Sequence, residues 1–175
     1  CAFKKAFFSV SDYDYLILEL GVDKPGDMDA HLSLLSPDIA VFTAVAPVHL
    51  AEGQFFSLED ILKEKSKLIY ALQPTGLAIL NYDDLNIRSL PDAQPVPGKT
   101  IFYGTSPDAK IFVRNIISHE DGLSFEAVYG NISASFRIPV PGRHHAPVLL
   151  SAIAAGLLSG LYMTDILNRL RSFQL

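Results

Sequence analysis

Three apolar runs divide the first half of the chain and leave few folds open to it. "YLILEL" (Tyr15 to Leu20), "DIAVFTAV" (Asp38 to Val45) and "LAILN" (Leu77 to Asn81) are each almost wholly apolar. That is the pattern of a strand covered on both faces. "MDAHLSLLS" (Met28 to Ser36) lies between the first two and reads as a helix closed before Pro37. "SLEDILKEKSKLIYAL" (Ser57 to Leu72) precedes the third, with Ser57 and Asp60 at capping-box spacing. "PTG" (Pro74 to Gly76) then turns the chain into its third run. Strand and helix alternating in this way imply right-handed crossovers, so the expected class is α/β, with a mostly parallel sheet flanked by helices.

The second half changes character. "DAQPVPGKT" (Asp92 to Thr100) reads as a Pro-rich connector. "TIFYG", "KIFVRNIIS", "LSFEAVYG" and "SASFRIPV" follow, separated by the turn residues "SPD", "EDG" and "GN". Their alternation predicts a small antiparallel sub-sheet over about residues 100–140. "PGRHH" (Pro141 to His145) leads into an apolar helix near Val148 to Leu161, and a last helix runs from Met163 to Phe173 with Thr164 as its N-cap. The stretch from Pro147 to Met163 approaches a short membrane span in hydropathy, but Ser151, Gly156, Ser159 and Gly160 interrupt it and no anchors flank it. It is expected to be a buried helix.

A chain of 175 residues forms one ordinary domain. Its formal charge of -5 argues against general nucleic-acid or anionic-membrane binding. A single cysteine, Cys1, rules out a disulfide framework and a cysteine zinc site, which fits a reducing, cytoplasmic setting. The abrupt start at Cys1, without Met or a polar lead-in, suggests a fragment of a larger chain.

Ligands of open parallel sheets gather at the carboxyl ends of the strands. Glu19 lies near the end of the first run and His49 just past the second. Together they could share a cation; a solvated Glu and a His bonded to a backbone carbonyl is the alternative. Lys65 falls in a gap of the apolar stripe Leu58, Ile61, Leu62, Leu68, Ile69 and Leu72. An ammonium turned toward a core is paired, snorkels or is chemically altered. A desolvated lysine loses its proton more readily. The neutral amine can take up carbon dioxide, and the resulting carbamate offers two hard oxygens to Mg²⁺.

In order and spacing, "LELGVDKPGDM", "PDIAVFTAVAPVHL", "SLEDILKEKSKLI", "GLAILNYDD" and "PGRHHAPVLLSAIAAGL" resemble segments of the Mur ligase central domain. They are most similar to members that add D-Ala-D-Ala to UDP-MurNAc-tripeptide. The resemblance implies an ATP-dependent amide-bond-forming ligase of peptidoglycan precursor synthesis, cytoplasmic and monomeric. Its cofactors would be ATP and Mg²⁺, and its substrates UDP-MurNAc-peptide and D-Ala-D-Ala. It carries metal-binding roles onto Glu19, His49 and Lys65, with Lys65 carbamylated and both His49 and Lys65 catalytic. Asn81 and His145 match positions near the adenosine; a strand-end cap is the alternative for Asn81.

Departures from the family pattern bear on the nucleotide. No Gly-x-x-Gly-Lys-Thr/Ser loop occurs; "PGKT" (Pro97 to Thr100) resembles its tail but precedes a strand, not a helix. His145 and Val148 stand where the family has asparagines, and Lys67 replaces a common acidic residue. The expected unit is therefore a partial central domain over residues 1–175, without the phosphate loop or the family's C-terminal domain and inactive alone. A degenerate, non-catalytic binding module and a folylpolyglutamate-synthase-like ligase are the competing readings.

Overall fold

The computed structural model describes residues 14–47, 51 and 54–172. Its strands are β1 (Ile39–Phe42), β2 (Leu77–Asn81), β3 (Lys99–Gly104), β4 (Ile111–His119), β5 (Gly122–Tyr129) and β6 (Ile132–Ile138). They form one mixed sheet in the order β1-β2-β3-β4-β5-β6. The helices are α1 (Asp27–Leu32), α2 (Leu58–Tyr70), α3 (Leu85–Arg88), α4 (Leu90–Ala93), α5 (Ala146–Leu158) and α6 (Met163–Arg171). A 3₁₀ turn, Arg143–His145, leads into α5.

The apolar runs behave as doubly covered strands because alternate side chains leave on opposite faces. On β2, Ile79 joins a core with Ile101, Ile111, Phe125 and Phe136 of the sheet and Leu150 and Ile153 of α5. Ala78 and Leu80 face the other way, toward Ile69 and Leu72, Ile87 of α3 and Leu90 of α4. Burial of each large aliphatic side chain here stabilises the fold by about 1.5–3 kcal/mol. The expected membrane-like stretch is the 13-residue α5, whose Leu149, Leu150 and Ile153 are buried in the first core. No helix among the described residues is long and apolar enough to cross a membrane.

The cap expected on α2 is present: Ser57 Oγ accepts from Asp60 N at 3.1 Å and donates to Asp60 Oδ2 at 2.8 Å. Ser57→Ala is expected to cost about 1 kcal/mol, read as a lower urea midpoint with unchanged slope. Helix α6 starts differently from the expectation. Tyr162 occupies its N-cap without a side-chain cap, and Thr164 lies inside the first turn.

Two expectations need correction. "TIFYG" does not belong to the antiparallel sub-sheet. As β3 it pairs parallel to β2, from Leu77↔Lys99 to Asn81↔Tyr103. The cause is the connection: α3 and α4 carry the chain back across the sheet before β3 begins, and such a crossover returns a parallel strand. The antiparallel part is β4–β5–β6, joined to β3 only at Tyr103↔Ile111 and Gly104↔Phe112. "PGKT" leads directly into β3, as expected.

The second correction concerns Tyr15 to Leu20. This run is extended but joins no strand of the sheet, and Leu16 and Ile17 are exposed (68% and 92%). Tyr15 Oη donates to Ser159 O at 2.7 Å, at the end of α5. Leu20, at the other end, packs with Val22, Met28, Phe55 and Ile61. A strand needs a hydrogen-bonded partner edge, and among the described residues no ladder forms here. The composition of the run registers a demand for cover, and the described residues leave that demand unmet.

The sub-sheet has one marked irregularity. The register of β4 shifts between Arg114 and Ile117, with Asn115 at φ 57, a bulge that bends the strand. Beside it, Arg114 grips Glu126 through Nε–Oε2 (2.8 Å) and Nη2–Oε1 (2.9 Å). That grip, helped by the Ser133 hydroxyl, holds the Glu126 carboxyl down to about 2. A carboxyl depressed in the folded state stabilises the fold above its ordinary value of 4.5, and the contribution is lost as pH falls toward about 2. Glu126→Gln is expected to flatten that acid limb of the stability curve in urea titrations. Superimposable curves for the two proteins would contradict the pairing.

Candidate active site

The carboxyl ends of β1, β2 and β3 are tied together by side chains of "LNYDD". Asn81 Nδ2 donates to Thr43 O at 2.7 Å, just past β1, and its Oδ1 accepts from Asp83 N at 3.0 Å. Both oxygens of Asp83 accept from Thr105 N (3.0 and 2.8 Å), just past β3. A Cβ on Gly104 would stand 2.8 Å from Asp83 Oδ1, so this approach requires glycine. Asp84 accepts from Val45 N through Oδ2 (3.0 Å), while its Oδ1 caps α3 by accepting from Asn86 N and Ile87 N. Three consecutive strands are thus braced where an open parallel sheet receives ligands. Asn81 is buried and keeps one N–H and one lone pair unused by these bonds, which limits what it can offer a nucleotide.

Beneath this edge, Tyr103 is fully buried, and among the described residues its hydroxyl makes no well-formed hydrogen bond, with Ser151 as a polar neighbour. Burial pushes the phenol well above its ordinary range. His145 ends the 3₁₀ turn, half-buried, with its ring 4.1 Å from that of His144. It makes no side-chain cap to α5.

The proposed metal residues are placed unevenly. His49 lies outside the described residues. Glu19 is exposed and Lys65 half-buried on α2, with no hydrogen bond or ion pair between them. Among the described residues, neither group has a partner of its own, so both are free for other ligands. Glu19 presents oxygen, as a hard cation requires; Lys65 does so only as a carbamate. With that modification both groups would offer Mg²⁺ oxygen. Among the described residues, no group of three or more His, Cys, Asp or Glu could hold a metal by itself.

The charge that α2 buries is Glu64. Its side chain is 5% exposed. Glu64 Oε1 accepts from Gly26 N and Met28 N, both at 3.0 Å. Lys67 Nζ donates to Glu64 Oε2 at 2.7 Å and to Asp29 Oδ2 at 2.6 Å. These two carboxylates, Asp29 first, raise the Lys67 ammonium above its ordinary value. A signal was available: Glu64 stands three residues after Ile61 and four before Leu68, inside the same apolar stripe as Lys65.

Residues 2–156 match the family described as "Mur ligase middle domain". The chain is 36% identical over 143 residues to the UDP-N-acetylmuramate–L-alanine ligase of Symbiobacterium thermophilum, covering 78% of this chain and 29% of that protein. It is 32% identical over 151 residues to the UDP-N-acetylmuramoyl-tripeptide–D-alanyl-D-alanine ligase of Escherichia coli, covering 85% and 32%. The chain thus spans about a third of the length of the curated relatives it matches. The fold is shared with MurF of Acinetobacter baumannii, at a TM-score of 0.84 and 23% identity, covering 93% of this chain and 35% of that one. It is shared too with Thermotoga maritima MurF in complex with ADP, at a TM-score of 0.78 and 19% identity, covering 94% and 38%. With the sheet, its braced edge and a sequence match over most of its length in agreement, this chain belongs to the Mur ligase family, as a middle domain.

Proposed function

We propose that the chain is the ATP-handling part of a cytoplasmic, monomeric ligase that joins D-alanyl-D-alanine to UDP-MurNAc-tripeptide. The supporting observation is the 32% identity to the E. coli ligase of that name, over 85% of this chain. When bound, ATP supplies the phosphoryl group that activates the substrate carboxylate as an acyl phosphate, and Mg²⁺ supplies charge against the phosphates. Glu19 and carbamylated Lys65 would hold the metal together with His49, which lies outside the described residues. The braced ends of β1, β2 and β3 would form the floor of the site, with Asn81 and His145 on its adenosine side.

A second reading rests on its own observation. The relative at 36% identity is named as a UDP-N-acetylmuramate–L-alanine ligase. Phosphate release by the full-length protein separates the two. Release only with UDP-MurNAc-tripeptide and D-Ala-D-Ala supports the first reading; release only with UDP-MurNAc and L-alanine replaces it with the second. No release with either pair would sink both and favour a non-catalytic module.

A further inference from the structure

Two proposed metal ligands, Glu19 and Lys65, lie on separate pieces of chain, and those pieces are tied together by a lock of residues that are neither of them. Glu19 is followed two residues later by Gly21, whose carbonyl accepts from His31 Nε2 at 2.8 Å. That bond ties the start of the loop to the last turn of α1. The loop is braced internally by Asp27 Oδ2, which accepts from Asp23 N (2.9 Å) and Lys24 N (3.0 Å). At its end Gly26 takes φ 93, a left-handed conformation that favours glycine. This turns the amides of Gly26 and Met28 onto one oxygen, Glu64 Oε1. Glu64 is the residue immediately before Lys65. Lys67 closes the lock by holding Glu64 Oε2 and Asp29 of α1 at once.

Two features mark this as more than packing. The second acceptor oxygen of a buried carboxylate is met by a cation that also reaches across to the other element, so every partner joins α1 to α2. And a buried carboxylate is costly unless it is fully paired; here both oxygens are satisfied. We infer that Glu64, held by Lys67, is a positioning residue that fixes the loop after Glu19 against the helical turn of Lys65 and so sets the metal affinity of the site. This inference rests on the metal reading above. Groups that orient metal ligands without touching the metal typically change affinity 10–100-fold when removed.

The test is a Mn²⁺ titration of the full-length protein followed by electron paramagnetic resonance, with Mn²⁺ standing in for Mg²⁺. Glu64→Ala is expected to weaken Mn²⁺ binding about tenfold or more, while turnover recovers at saturating Mg²⁺. Glu64→Gln keeps the oxygen that accepts both amides and is expected to restore most of the affinity; a loss equal to that of Glu64→Ala would overturn the inference. Lys67→Met leaves the carboxylate in place, guards against a folding failure of Glu64→Ala, and is expected to shift affinity in the same direction. Unchanged Mn²⁺ affinity in Lys67→Met, with Lys65→Ala impaired, would overturn the lock and leave the metal site standing. A wild-type protein that binds no Mn²⁺ would instead overturn the metal reading, and the lock with it.

Discussion

Lys65→Ala is expected to lower turnover of the full-length protein by about a hundred- to a thousandfold, the scale seen when a group stabilising transition-state charge is removed. Lys65 is half-buried on α2 and pairs with no other described residue. Lys67, by contrast, is tied to Glu64 and Asp29. Truncation at Lys65 therefore breaks no ion pair among the described residues, and the fold should survive it. A thermal melt close to wild type beside a collapsed rate is the expected combination. Partial recovery with added short carboxylic acids would identify the missing group as a carbamate. Turnover that survives the substitution would remove Lys65 from the chemistry.

The largest expected effect on stability is that of Phe125→Ala, about 3–5 kcal/mol. Phe125 is 2% exposed and stacks on Phe136, with centroids 5.3 Å apart and planes at 13°. Both rings belong to the core that joins the antiparallel strands to α5 and α6. Alanine would leave a cavity under the joint between the two halves of the sheet, and cavities in close-packed cores are only partly relaxed. Urea unfolding should show the loss as a displaced midpoint. A change under about 1 kcal/mol would mean that the sub-sheet contributes little to the cooperative unit.

What the sequence made legible follows from how locally each feature is encoded. Strand β2 has the expected bounds because its alternate residues meet two different cores and the turn at Pro74 to Gly76 precedes it. Helix α2 was readable from its cap and its 3.6-residue stripe. Helices α3 and α4 lie between Asn81 and the body of the Pro-rich connector and were not expected, since four residues are too few to display a period. Missing them assigned β3 to the wrong half of the sheet. The buried Glu64 was missed because hydrophobic periodicity locates a face but cannot say which of two adjacent charges on it is satisfied. That depended on amides of Gly26 and Met28, distant in sequence. For the candidate site, Asn81 was singled out and Asp83 and Asp84 lay in the quoted segment, but the bonds of these three to Thr43, Val45 and Thr105 were not read.

The bare run from Tyr15 to Leu18 has a practical side. An extended apolar segment with Ile17 almost fully in water lies in a molecule whose sheet ends at β1 among the described residues. Unpaired backbone beside greasy side chains is a template for pairing with another molecule. In a crowded cell such a surface invites chaperones, and in a concentrated preparation it invites clumping. What comes to shield those few side chains therefore bears on the colloidal behaviour of this domain, beside its net negative charge.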